Sequence, residues 1–369
     1  MLLTGGITGC NQDPSQPPPT NAATALPVAS ATPETVVLLP SPTATLTPVP
    51  ATETVRPTAT IPAASPTPTA SPVPSTTPSA TPDPYAELTI TALAERSYGG
   101  GELEIIDTLE ETDTYTRYLI SYPSDGLTIY GFLSVPNEGS KFPVAIVAHG
   151  YIPPNEYVTE AYTTRYATAL TEAGFLVIHP NFRNYPPSDE GPNPFRIGYA
   201  VDVLNLMAII QEQSQDPLGY LRRADGENIH LMGHSMGGGV VLRAAVVRPE
   251  MAKAVVLYGS MSGDETKNTR RILQWSGGTN GNFEAAASTE MLTAISPIYH
   301  LDRLQAPVSI HHSLADDVVP PEWSDELCNL LEAANHPVEC FTYENVPHTF
   351  LGFADTQFID RMITFFQRN

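Results

Sequence analysis

The chain has 369 residues and a formal net charge of −22, with its composition changing sharply near residue 84. So acidic a balance, with no basic cluster, excludes nucleic acid and anionic lipid surfaces as electrostatic partners. No run of 18 apolar residues occurs anywhere, which excludes a transmembrane helix from the reading.

The first ten residues, "MLLTGGITGC", end in Ile7-Thr8-Gly9-Cys10. This resembles the lipobox of bacterial lipoproteins, although no Lys or Arg precedes a short apolar stretch. The resemblance implies lipid attachment at Cys10 and a place in the cell envelope, outside the cytoplasmic membrane. Residues 11–84 hold 19 of the 37 prolines and no Phe, Trp or Tyr. Repeats such as "PTAT" and "SPTPTASP" cannot bury enough apolar surface to offset chain entropy. This stretch is expected to be a disordered, semi-rigid spacer, which is what a surface tether requires. Membrane contact would then run only through the lipid.

Residues 85–369 carry every aromatic residue and are long enough for one domain with a substantial core. "YTRYLISY" (115–122) and "LTIYGFLSV" (127–135) flank "PSDG" and read as an antiparallel hairpin. "FPVAIVAHG" (142–150) is a continuous apolar run, as in a buried parallel strand. A helix is expected over 159–174, then the strand "FLVIHP" (175–180) and a helix over 198–213. "NIHLMG" (228–233) reads as a strand and "GGVVLRAAVV" (238–247) as a helix. Strands at 253–259, 306–313 and 337–344 and helices near 322–335 and 354–367 complete the pattern. Residues 261–300 exceed a simple connection and read as a possible cap, with Trp275 either lining a pocket or packing in the core.

Strand and helix in alternation predict an α/β fold: a mostly parallel sheet, an antiparallel N-terminal hairpin and helices on both faces. Ligands in such sheets sit at the carboxyl ends of the strands. Ser235 stands there, in "GHSMG" (233–237), between a strand and a helix. A serine hydroxyl needs a base, and the base needs an orienting group. Asp316 or Asp317 follows one later strand and His348 follows the next. The order Ser, Asp, His is that of the α/β-hydrolase fold. One oxyanion donor is the Met236 N–H, directly after the nucleophile; the second is expected from Tyr151, by its hydroxyl or its backbone N–H.

Residues 115–369 resemble the catalytic domain of the prolyl oligopeptidase family and, more broadly, dienelactone-hydrolase-type α/β hydrolases. The matching stretches are "PVAIVAHGY", "GHSMGGG", "SPIYHLDRLQAPVSIHHSLADDVVP" and "VPHTF". In that family the catalytic aspartate precedes two residues and then a valine, which carries the role to Asp316, with Asp317 as runner-up. The resemblance implies a serine peptidase on small peptides; the alternatives are a carboxylesterase and a non-catalytic surface binding module. Only about 30 residues lie between spacer and first strand, and no blade-length repeat occurs. The substrate-filtering propeller of full prolyl oligopeptidases is therefore not expected. His234, His149 and the pair His311–His312 read as structural rather than metal ligands. No P-loop or dinucleotide fingerprint occurs, so no cofactor is expected, and the chain is read as a monomer. Cys328 and Cys340 stand at similar heights on neighbouring elements, where an exported protein could form a disulfide.

Overall fold

The computed structural model describes residues 85–369; Cys10 and the spacer expected over 11–84 lie outside the described residues. The strands in chain order are β1 (Glu104–Glu111), β2 (Tyr115–Ser124), β3 (Leu127–Pro136), β4 (Phe142–Ala148) and β5 (Leu176–Pro180), then β6 (Ala224–His234), β7 (Ala254–Tyr258), β8 (Val308–Ser313) and β9 (Val338–Tyr343). They join one sheet in the order β1-β2-β3-β5-β4-β6-β7-β8-β9. β1, β2, β3 and β5 pair antiparallel in succession, and every pairing from β5 to β9 is parallel. The hairpin turns on Asp125 and Gly126, both at positive φ (51° and 81°), as a two-residue turn that matches strand twist requires.

The helices are α1 (Ile90–Glu95), α2 (Thr164–Glu172), α3 (Ile197–Gln213), α4 (Met236–Val247), α5 (Glu265–Trp275), α6 (Thr289–Ile295), α7 (Glu322–Ala333) and α8 (Gly352–Arg368). Side chains alternate across the sheet, so each central strand feeds two cores. Val144, Ile146, Ile229, Leu231, Val255 and Leu257 pack with α3 and α4 on one face. Ala145, Val147, Met232, Val256 and Tyr258 pack with α2 and α8 on the other. In α8 the buried Phe358, Met362, Phe365 and Phe366 recur at helical spacing and seal the second face.

Several expected boundaries move. The helix expected from 159 begins at Thr164, because residues 159–163 form turns beside the site. The strand expected over 228–233 extends back to Ala224 and forward to His234, with a register shift against β4 at Pro143–Val144. β1 was not anticipated at all, so the hairpin is not the sheet's edge. Its sequence, "EIIDTLEE", is acidic and mostly exposed, a pattern that protects an edge from further pairing. Residues 261–300 contain α5 and α6 joined by turns.

Candidate active site

β6 ends at His234, and the chain reverses at Ser235 with φ 55° and ψ −119° before α4 starts at Met236. A side chain in this region costs about 1–3 kcal/mol of backbone strain, held here by surrounding bonds. The Ser235 N–H donates to the Tyr258 carbonyl at 2.9 Å, and its own carbonyl accepts from Gly238 and Met261, each at 3.0 Å. The turn is so tight that a Cβ on Gly237 would fall 2.3 Å from the Ala148 carbonyl oxygen. Only glycine fits there. The Met236 N–H, first in its helix, is among those that a helix cannot pair internally.

Because β6, β8 and β9 run parallel, the residues after them gather at one edge. The His348 Nδ1–H donates to Asp316 Oδ2 at 2.6 Å, which leaves His348 Nε2 as the imidazole's other face. Asp316 Oδ1 accepts from the backbone N–H groups of Val318 and Val319 at 2.9 and 2.8 Å. His312 Nε2 approaches Asp316 Oδ2 at 3.2 Å, while its Nδ1 accepts from the Ser324 hydroxyl at 2.6 Å. Burial alone would raise the Asp316 carboxyl. Hydrogen bonds from His312 and His348, the His348 charge and the Val319 N–H outweigh burial and hold it well below the usual carboxylate range. Asp317 is exposed, and its backbone carbonyl accepts from Arg271 at 2.6 Å. It is Asp316 that meets His348.

Ser235, Met236, Gly150, Tyr151 and His348 line one cavity of about 670 Å³. The strand-end loop after β4 delivers Gly150 and Tyr151. The Tyr151 ring is half exposed and packs edge-on against Trp275, with centroids 5.5 Å apart. Trp275 lines the cavity rather than the core, and Met261, Ile272, Gly281 and Glu284 from the 261–300 segment join it there. Glu284 is the one carboxylate on the cavity wall among the described residues. It is bound to Arg196 at 3.1 Å and accepts the Phe195 N–H at 2.9 Å. Arg196 also pairs with Glu265, and Arg243 with Glu265, so this buried cluster balances its own charge.

The histidines read as structural have bonded places. His311 bonds Ser309 and Tyr343 at 2.9 Å each, and His149 faces the carbonyls of Gly150 and Asn181 at 2.7 and 3.0 Å. Among the described residues no cluster of His, Cys, Asp or Glu is placed to hold a metal ion. Cys328 on α7 and Cys340 on β9 are disulfide-bonded, with Cα atoms 6.5 Å apart. His312 supports the loop of Asp316, as its structural reading expected, whereas sequence reasoning missed Tyr162 and Arg196, whose partners lie in distant segments and leave no local pattern.

A parallel sheet flanked on both faces, with a strained serine elbow and an acid–imidazole pair at its carboxyl edge, is the α/β-hydrolase architecture. The dienelactone hydrolase family matches residues 129–359, well over half of the chain, and the chain belongs to that family of hydrolases. It is 25% identical over 239 residues to the uncharacterized peptidase YtmA of Bacillus subtilis (strain 168), covering 63% of this chain and 86% of that one. Among solved structures, acetyl xylan esterase 1 from Thermoanaerobacterium sp. JW/SL YS485 superposes with a TM-score of 0.53 at 18% identity, over 73% of this chain and 88% of that one. A puromycin-hydrolyzing peptidase of Mycobacterium tuberculosis gives 0.50 at 19% identity, over 73% of this chain and 39% of that one.

Proposed function

We propose that the protein is a serine hydrolase that cleaves small carboxylic esters through an acyl-enzyme. The observation that carries this is the strained Ser235 elbow sharing one cavity with an Asp316-bound His348. His348 Nε2 takes the Ser235 proton as the hydroxyl oxygen attacks the carbonyl carbon. Asp316 holds the reactive tautomer and stabilises the imidazolium that forms. The N–H groups of Met236 and Tyr151 receive the oxyanion. His348 then protonates the leaving alkoxide, and water repeats the sequence on the acyl group. No cofactor enters this chemistry.

Esters are favoured over peptides by the wall chemistry. A peptide's terminal ammonium calls for a free carboxylate, and Glu284 is already engaged by Arg196. The peptidase reading is supported by the name of the YtmA relative and remains the second reading. A panel of aryl esters and peptide anilides tests the choice. Ester turnover exceeding anilide turnover is the expected result; efficient anilide cleavage would reverse the ranking.

The lipobox-like Ile7–Cys10, the spacer and the 328–340 disulfide together favour an exported protein tethered by a lipid at Cys10.

A further inference from the structure

Tyr162 lies in the turns before α2, on the cavity wall. Its hydroxyl oxygen accepts the Gly150 N–H at 2.9 Å and makes a short hydrogen bond with His234 Nδ1. The His348 carbonyl oxygen, 3.3 Å from His234 Nε2, can only accept, so the proton of His234 sits on Nε2 and donates to it. That leaves Nδ1 as an acceptor, and the phenolic proton goes to it. One directional run results: Gly150 N–H to Tyr162, Tyr162 O–H to His234, His234 N–H to the carbonyl of His348. It passes through the residue before the nucleophile and joins the loop of Tyr151 to the loop of His348.

We propose that Tyr162 and His234 are positioning residues that lock the oxyanion loop to the loop bearing the catalytic histidine; this rests on the serine-hydrolase reading. The Gly150 carbonyl lies 2.7 Å from His149 Nδ1, and the Asn181 carbonyl 3.0 Å from Nε2, so the His149 ring sits between the two carbonyls and against that of Gly150. With Gly150 held at its N–H by Tyr162 and at its carbonyl by His149, the next peptide has one orientation. That peptide is trans, so the Tyr151 N–H points opposite to the Gly150 carbonyl. Space agrees with this. A Cβ on Gly150 would fall 2.7 Å from the Tyr162 hydroxyl and 3.0 Å from Ser235 Cβ, so loop, tyrosine and nucleophile are already in contact. On the other side, the His234 ring packs against the His348 ring at 4.6 Å between centroids. Tyr162 is no oxyanion donor itself, since its one proton is committed to His234.

Burial keeps the run neutral. It pushes the Tyr162 phenol far above its ordinary value, and with the nearby His348 it pulls the His234 imidazole well below its own. The lock therefore keeps one protonation state around neutral pH.

Tyr162→Phe, His234→Leu, their double variant and His234→Asn, assayed on an aryl ester, test the lock. Tyr162→Phe and His234→Leu are each expected to lower kcat roughly tenfold with KM changed less than about twofold, because orientation rather than ground-state binding is lost. The double variant should be no slower than the slower single variant, as members of one run are not additive. The amide oxygen introduced by His234→Asn can occupy the place of Nδ1 and accept from Tyr162, so this variant should recover most of kcat. Wild-type kcat in Tyr162→Phe, fully additive losses, or His234→Asn as slow as His234→Leu would overturn the lock and leave the hydrolase reading standing. A wild-type chain without Ser235-dependent turnover would overturn both.

Discussion

Two neighbouring aspartates follow β8, and the family resemblance, through the spacing to Val319, favours the first. The structure gives the physical difference: Asp316 receives His348, His312 and two backbone N–H groups, while Asp317 faces solvent. Asp316→Asn is expected to reduce kcat by roughly 10⁴-fold, because the amide favours the wrong histidine tautomer. Asp317→Asn should stay near wild type in the same steady-state assay. A reversed ranking would mean that the acid has been misassigned by one residue. The gathering of Ser235, Asp316 and His348 at one edge was legible because each lies in the turn or loop after a strand, β6, β8 and β9 in turn. Tyr162 was not, since its meaning lies in a contact with His234 across 72 positions.

Among the elements, the central strands were legible because both faces are buried, which leaves near-continuous apolar runs in β4, β5 and β7. β1 was not, because an exposed edge strand is free to be acidic and loses its alternation. The segment 261–300 was legible as an excess of chain but not as α5 and α6, whose packing depends on Arg196 and Arg243 reaching Glu265. α7 and β9 were placed side by side by the turn between them, and the Cys328–Cys340 bond now ties them. The loop closed is short, spanning 12 residues. Cys328→Ser with Cys340→Ser should therefore lose roughly 2–3 kcal/mol of stability in urea unfolding. Reductant should lower the wild-type midpoint and leave the double variant unmoved. Equal midpoints with and without reductant in the wild type would show that the bond adds nothing.

At the scale of the whole molecule, buried imidazoles set a pH limit. His149, His179, His230, His234 and His311 are each held below the ordinary value of 6.5, in every case first by burial. His230 is pulled to about 4, with Lys253 adding to burial, and His311 to about 3, with Arg361 adding. Between those values and 6.5 the unfolded chain binds protons that the folded chain refuses, so stability rises with pH across that window. Unfolding free energy should fall as pH drops from about 6.5 toward 4, before most carboxylates titrate. His311→Gln should flatten part of that slope. A stability profile level from pH 7 to 4.5 would contradict the assignment of neutral buried histidines.

The claim that Ser235 performs covalent chemistry is read directly by a fluorophosphonate probe. Intact-mass and peptide analysis of the treated protein should place a single adduct on Ser235, formed at a rate that falls in Asp316→Asn. Ser235→Ala should carry no adduct while unfolding at an unchanged temperature. An unlabelled wild-type protein, or an adduct that persists elsewhere in Ser235→Ala, would contradict the claim and favour a surface module that keeps the fold without the reaction.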